Sequence, residues 1–128
     1  MKKRTAIRGV VAIAVLGFIA IIALNPLRKS PERIRASLLA ATPLDSSVAD
    51  VRATVERKFG KGATYYPKTG FMKREIDPKI VGSSSLEMHL GEYRELPIPL
   101  STDVTAFWGF DGNGRLIDVW VWKTTDGP

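Results

Sequence analysis

A length of 128 residues limits the chain to one small domain with a short appendage, and the absence of cysteine excludes disulfide scaffolds, thiolate metal sites and cysteine nucleophiles. Hydrophobic residues at 45% and charged residues at 25% are ordinary globular values and exclude a wholly disordered chain. The net charge of +6 comes from the first 29 residues, which hold six basic residues and no acidic one. Beyond residue 29 the charges balance, so we expect no nucleic-acid partner.

The first predicted element is an apolar run near the N-terminus. Residues 9–24 read GVVAIAVLGFIAIIAL. The basic segment MKKRTAIR precedes them and Asn25-Pro26 follows them. A bilayer core needs about 17 to 25 apolar residues and a signal-peptide core about 7 to 15, so the run fits an uncleaved anchor or a cleaved signal segment. Every face of the run is apolar, which disfavours a buried core helix. We favour a single-pass membrane anchor over residues 9–27.

The flanking charges indicate how this anchor is oriented. Lys2, Lys3, Arg4 and Arg8 precede the run, whereas the basic residues that follow it are partly offset by Glu32. Basic flanks are retained in the cytoplasm, so we predict a cytoplasmic tail over residues 1–8 and one extracytoplasmic, periplasmic domain over residues 28–128. Arg28 and Lys29 argue for the reverse orientation, which stays open.

Two amphipathic helices are predicted next. Ser30-Pro31-Glu32 combines a capping hydroxyl, a first-turn proline and an acid at the positive end of the helix dipole, and Pro43 should stop this helix near Thr42. A second helix is indicated by a capping box with aspartate, Ser47-x-x-Asp50, and by the C-capping Gly60. The apolar faces are Ile34, Leu38, Leu39 and Ala41 in the first helix and Val48, Val51, Val55 and Phe59 in the second.

Strands are predicted over the rest of the chain. Residues 61–82 are rich in Gly, Pro and Lys, with short strands expected at 64–66 and 71–76. Residues 84–93 alternate like a half-solvated strand, and the prolines at 97 and 99 place residues 96–100 outside a regular ladder. The alternation places Leu86, Met88 and Leu90 on one face and Glu87, His89 and Gly91 on the other.

A closing hairpin is the clearest strand signal. Residues 104–110 and 116–123 flank the turn Asp111-Gly112-Asn113-Gly114. Simple alternation in the last strand places Ile117, Val119 and Val121 on one face and Leu116, Trp120 and Trp122 on the other, so we expect a strand that is central or covered on both sides. The fold class is therefore α+β, with an N-terminal membrane helix followed by two helices packed on a small antiparallel sheet.

Candidate chemistry is sparse. His89 is the only histidine; Glu87 shares its strand face, and no G-x-S-x-G elbow occurs. Asp111-x-Asn113 begins a calcium-loop spacing, but Arg115 takes the next ligand position. The sequence thus predicts no catalytic, metal or cofactor residue.

Aromatic side chains are the stronger candidates for function. The candidate binding surface consists of Phe107, Trp120, Trp122, Tyr65 and Tyr66, of which the first three would form part of the core unless they stay exposed.

Two segments resemble the small BamE-type (SmpA/OmlA) envelope domains. They are Leu44-Asp45-Ser46-Ser47 leading into Val48-x-x-Val51-x-x-x-Val55 with Phe59-Gly60, and Phe110-Asp111-x-x-Gly114-Arg115-Leu116-Ile117-x-Val119. The resemblance implies two helices on a three-stranded antiparallel sheet and a non-enzymatic role in envelope assembly. Those proteins are lipoproteins, whereas this chain has no cysteine to acylate.

Together these features favour a membrane-anchored extracytoplasmic binding or assembly module of the cell envelope, which binds a protein or another envelope component and is not catalytic. The alternative is a small secreted or tethered hydrolase or glycan-binding protein that uses Glu87, His89 or a nearby carboxylate.

Overall fold

The computed structural model describes residues 25–95, 97–98 and 100–126 of the chain. The basic tail (residues 1–8) and the apolar run (residues 9–24) predicted above lie outside these residues. Within the described part, no helix has the length and hydropathy needed to cross a bilayer. The first described element is a 3₁₀ helix at Pro26–Arg28, whose Leu27 packs against the core at the end of the predicted anchor.

Both predicted helices are present with the predicted caps. Helix α1 spans Pro31–Ala41, and the Ser30 hydroxyl accepts a hydrogen bond from the Arg33 amide at 3.2 Å. Helix α2 spans Val48–Phe59 and ends at Gly60, which adopts the left-handed conformation with φ 66°. The cap residues thus define where each helix begins and ends.

The main sheet has four antiparallel strands, one more than the family resemblance implies. Their bounds are β1 Thr64–Tyr66, β4 Ser84–Glu95, β5 Leu100–Phe110 and β6 Leu116–Asp126, in the spatial order β1-β4-β5-β6. A separate two-stranded hairpin pairs β2 (Phe71–Lys73) with β3 (Lys79–Val81). The α+β fold class is confirmed for the described domain.

One face of the main sheet packs against both helices and forms the core; we call it the inner face. The sheet contributes Leu86, Met88, Val104, Ala106, Trp108, Phe110, Leu116, Val119 and Val121, and the helices contribute Ile34, Leu38, Val51 and Val55. Trp108 is fully buried, and its indole N–H donates to the Thr42 hydroxyl at 3.3 Å. Burial of large apolar side chains on this face is the main source of stability.

Two β-bulges correct the predicted strand faces. In β6, Phe110 pairs with Leu116 and Gly109 with Asp118, so Ile117 is an extra residue. A single added residue reverses the alternation, and Leu116 therefore points to the inner face, not to the face of the tryptophans as predicted. In β4, Leu90 is the extra residue, and Gly91 lies against Leu27 rather than beside His89.

Strand β6 is an edge strand, not a central one, but both of its faces are covered. Helix α1 packs on one face and also protects the free edge: Arg35 donates from Nε to the Val119 carbonyl and from Nη2 to Asp118 Oδ1, both at 2.7 Å. This contact occupies one carbonyl of the edge and so disfavours pairing with another chain at that position.

The predicted strand at 71–76 ends at Lys73, and β3 was not predicted. Residues 74–78 form the turn that joins β2 to β3 and contains Pro78, which cannot donate to a ladder. The two three-residue strands pair as Phe71 with Val81, Met72 with Ile80 and Lys73 with Lys79.

Candidate functional site

The β2–β3 hairpin folds over the second face of the main sheet, which we call the outer face. Phe71 stacks on Trp120 with ring centroids 6.2 Å apart and lies 5.8 Å from Phe107. Trp120 in turn contacts Phe107 at 5.5 Å and Trp122 at 5.2 Å. Phe71 is almost completely buried, whereas the other three rings are half-buried. Three predicted site residues, Phe107, Trp120 and Trp122, therefore form one aromatic cluster.

Glycines allow the hairpin to approach this closely. A Cβ on Gly109 would lie 2.9 Å from the Phe71 ring and 3.0 Å from the Val81 carbonyl oxygen. A Cβ on Gly70 would overlap the Val81 carbonyl. The hairpin thus lies directly on β5 because the strand offers no side chain at Gly109.

The hairpin turn extends the cluster toward the end of β6. Arg74 lies over the Trp122 ring, 5.6 Å from its centroid, in a cation–π contact. The Trp122 indole N–H is covered but has no acceptor in the part of the chain that the structure describes. Arg74 therefore extends the cover of the aromatic cluster to Trp122.

The two predicted tyrosines separate onto opposite faces of β1. Tyr65 pairs with Leu86 and packs against the core, so it belongs to the inner face. Tyr66 pairs with Ser85 on the outer face and is 43% exposed. The structure brings Tyr66 near the aromatic cluster and places Tyr65 away from it.

Tyr66 is held in place by a carboxylate. Its hydroxyl donates to Glu87 Oε2 at 3.1 Å. That hydrogen bond and the negative charge of Glu87 raise the pKa of Tyr66 above its ordinary value of 10.0. The phenol is neutral at physiological pH and acts as a donor with a fixed direction.

A cavity of about 200 Å³ opens between Tyr66 and the hairpin, and we call it the outer-face cavity. Its lining includes the rings of Phe71 and Phe107, the side chains of Met72 and Tyr66, and Glu87. Met72 is 52% exposed although it is apolar. The cavity is thus a small open recess with mostly apolar walls and one carboxylate, below the roughly 300 to 1,000 Å³ of a pocket for a drug-sized ligand.

The polar residues beyond the cavity form an open row on β4 and β5. His89 Nε2 lies 3.1 Å from Asp103 Oδ1, and both side chains are open to solvent. Neither residue lines the outer-face cavity. The pair can fix the orientation of an imidazole, and among the described residues it lies on the open surface of the sheet.

Asp111 has a structural role in the turn between β5 and β6. Asp111 Oδ1 accepts from the amides of Asn113 and Arg115 at 2.8 and 3.0 Å, so its carboxylate is used to close the turn. Across the described residues, no group of three or more potential ligands is placed to hold a metal ion.

The comparisons with known proteins give no family. No protein-family model matches the chain, and neither a curated protein nor a solved structure matches it. The resemblance to BamE-type domains stays a prediction.

Sequence reasoning did not identify Phe71 and Met72 as site residues. Both lie in a Gly- and Lys-rich segment where a three-residue strand gives little periodic signal. The available signal was Gly70 directly before Phe71, since a glycine at a strand can mark a site where another backbone approaches closely.

Proposed function

We propose that the chain is a membrane-anchored, extracytoplasmic binding or assembly module of the cell envelope that binds a protein partner through its outer face and has no catalytic role. The apolar run at residues 9–24 would provide the anchor, and its basic N-terminal flank would hold residues 1–8 in the cytoplasm. The resemblance to BamE-type envelope domains belongs to the same proposal.

The outer-face cavity is the observation that carries the binding proposal. Tyr66 and Met72, which are both exposed, stand at its sides. Tyrosine and methionine are enriched in protein interfaces, where they add apolar area while retaining a polar or adaptable group. The Phe71 ring of the hairpin stacks on Trp120, and the cavity opens beside this contact, between Tyr66 and Phe107.

The lining defines the chemistry of the partner segment. An apolar side chain would enter against Phe71 and Phe107, and a hydrogen-bond donor or a cation beside it would meet Glu87. Tyr66 and Glu87 fix each other, so little side-chain entropy would be lost on binding. A short protein segment with an apolar residue beside Lys, Arg, Ser or Thr meets these requirements.

Cross-linking in the intact envelope tests the binding proposal. A photo-reactive phenylalanine derivative at position 72 should form a discrete adduct with one protein, and the same probe at Leu44, which is 56% exposed elsewhere on the domain, should not. Truncation of an interface anchor costs about 2 kcal/mol or more, so Tyr66→Ala should abolish most of the adduct. Equal labelling from positions 72 and 44 would contradict the proposal.

The enzymatic alternative predicts a different result. If the protein only binds a partner, the His89→Ala and Asp103→Asn variants should each complement a deletion strain fully. A loss of complementation by both variants at normal protein level would favour a hydrolase that uses the His89–Asp103 pair.

Anchoring and orientation need a separate measurement. The full chain should stay in the membrane fraction after carbonate extraction, and protease added outside the inner membrane should digest the domain. Release into the carbonate supernatant would show a cleaved signal segment, and protection from protease would show the reverse orientation.

A further inference from the structure

A second cavity opens on the helical side of the sheet, between α1 and the end of α2. Its volume is about 370 Å³, which lies within the roughly 300 to 1,000 Å³ of pockets that hold small organic ligands. It shares no lining residue with the outer-face cavity. We call it the helix-side cavity.

The floor and sides of the helix-side cavity are apolar. Ile34 and Leu38 from α1 and Leu90 from β4 are its most buried lining residues, so they form the floor. Leu27 and Phe59 are half-buried and form the sides. The floor residues belong to the hydrophobic core, so an apolar group that enters the cavity would extend the core and lose its contact with water.

The rim of the cavity carries positive charge. Lys29 and Lys58 are exposed lining residues, and the uncharged residues Pro26 and Ser37 also lie at the rim. Among the described residues, no acidic side chain lines the cavity and neither lysine forms an ion pair. The Lys58 ammonium lies 6.0 Å from the centroid of the Phe59 ring, at the side of the cavity. Two cations beside an apolar recess complement a ligand with an apolar body and an anionic head.

The size and the polar groups of the cavity narrow the choice of ligand. A volume near the lower end of the range for ligand pockets suits one alkyl chain rather than the two chains of a phospholipid. The lysine ammonium groups and the Ser37 hydroxyl can all donate to a carboxylate. A protein segment fits less well, because its backbone amides need hydrogen-bond partners and the floor offers only apolar side chains.

We infer that the helix-side cavity binds a fatty acid, with the alkyl chain against Leu38 and Leu90 and the carboxylate at the rim beside Lys29 and Lys58. The site lies on the opposite side of the sheet from the outer-face cavity. It adds a small-molecule ligand to the protein partner proposed above and does not depend on that proposal. The competing occupant is the apolar run of residues 9–24, which joins the described chain next to the rim.

Photo-labelling of the full chain tests the inference. Dodecanoic acid that carries a diazirine in its alkyl chain would be irradiated with the full chain in phosphatidylcholine nanodiscs, and mass spectrometry would identify the labelled peptides. We expect label on the peptides that contain Leu27, Phe59 and Leu90. Dodecanoate without the diazirine should reduce this label several-fold more than dodecanol, which has the same alkyl chain but no charge.

A pair of tryptophan variants tests the position of the site. Ser37→Trp would fill the cavity from its rim and should reduce the label several-fold. Ala36→Trp, at an exposed position of the same helix outside the lining, should leave the label unchanged. Both positions are exposed, so the fold should stay intact, which circular dichroism checks.

A pair of charge variants tests the recognition of the carboxylate. The double variant Lys29→Gln and Lys58→Gln should remove the advantage of dodecanoate over dodecanol as a competitor. The control double variant Lys68→Gln and Lys79→Gln removes two exposed lysines that lie outside the cavity lining, and it should keep that advantage.

Other results would overturn the inference. Label that is absent from the cavity peptides, or that both tryptophan variants reduce equally, would place the fatty acid elsewhere. Equal competition by dodecanoate and dodecanol would exclude an anionic ligand. A cross-link from a photo-reactive phenylalanine derivative at position 37 to residues 9–24, if dodecanoate did not displace it, would show that the apolar run fills the cavity. The cross-linking at position 72 is independent of these results, so a failure here leaves the proposed function standing.

Discussion

The inner and outer faces of the sheet differ in how their apolar side chains are covered. Two helices cover most of the inner face, and Trp108, Phe110 and Val104 have no exposed surface. The outer face is covered by the six-residue ladder of β2 and β3. Phe71 in this ladder is almost completely buried, whereas Phe107, Trp120 and Trp122 on the sheet stay half-buried. The difference indicates that the inner face provides most of the stability of the fold, and the outer face is the one through which we propose that the domain binds a partner.

A charge on the inner face should have the largest effect. Val55 is 1% exposed among the core residues, so Val55→Asp would bury an unpaired carboxylate and should cost more than about 3 kcal/mol of unfolding free energy. Chemical denaturation measures the change. Ala53→Asp on the exposed side of the same helix is the control and should cost less than about 1 kcal/mol. Similar losses in both variants would show that the assignment of the inner face is wrong.

Removal of an outer-face ring should cost less. Trp120→Ala removes contacts with Phe71, Phe107 and Trp122, but the side chain is only half-buried, so we expect a loss of about 1 to 3 kcal/mol. Faster amide exchange at residues 71–73 should accompany it, while exchange in α2 stays slow relative to the hairpin. Uniform faster exchange across the domain would contradict an independently attached hairpin.

Displacement of the hairpin by a single methyl group gives a smaller effect. Gly109→Ala places a Cβ 2.9 Å from the Phe71 ring, which must shift, and we expect a loss of about 1 to 2 kcal/mol together with altered tryptophan fluorescence. Gly112→Ala, where a Cβ meets nothing within 4 Å, is the matched control. An unchanged spectrum in Gly109→Ala would show that the hairpin does not rest on β5.

The titration of Tyr66 should show the smallest effect. The pKa of Tyr66 lies above 10.0 in the folded protein. The hydrogen bond from the neutral Tyr66 phenol to Glu87 therefore contributes fully to stability below pH 10, and this contribution is lost as the pH rises through the folded-state pKa. Glu87→Gln keeps an acceptor but removes the charge, and the tyrosinate absorbance assigned by difference from Tyr66→Phe should then titrate at lower pH. A midpoint unaffected by Glu87→Gln would contradict the Tyr66–Glu87 contact.

Local signals in the sequence were sufficient for much of the fold. Ser30, Ser47 and Gly60 act over one helical turn, so the ends of both helices could be predicted from neighbouring residues. The bulge at Ile117 could not, because it depends on the pairing of β6 with β5 across the hairpin. Alternation alone therefore gave the wrong face for Leu116.

The candidate site was predicted only in part for a similar reason. Phe107, Trp120 and Trp122 were identified by their concentration in the closing hairpin. Phe71 covers Phe107 and Trp120 although it lies far from them in the sequence. The three-residue strand that holds Phe71 is too short to show the alternation of apolar and polar residues that predicts a strand. Tyr65 and Tyr66 could be separated only once the register of β1 with Leu86 and Ser85 was known.

The adjacent residues Tyr65 and Tyr66 test the separate roles of the two faces most directly. Unfolding free energy and adduct yield from the photo-reactive probe at position 72 would be measured for Tyr65→Ala and Tyr66→Ala. We predict that Tyr65→Ala loses about 1 to 3 kcal/mol of stability and keeps the adduct, because Tyr65 packs on the core. Tyr66→Ala should keep its stability to within about 1 kcal/mol and lose the adduct. A Tyr66→Ala variant that unfolds, or one that stays folded and retains the adduct, would contradict the account.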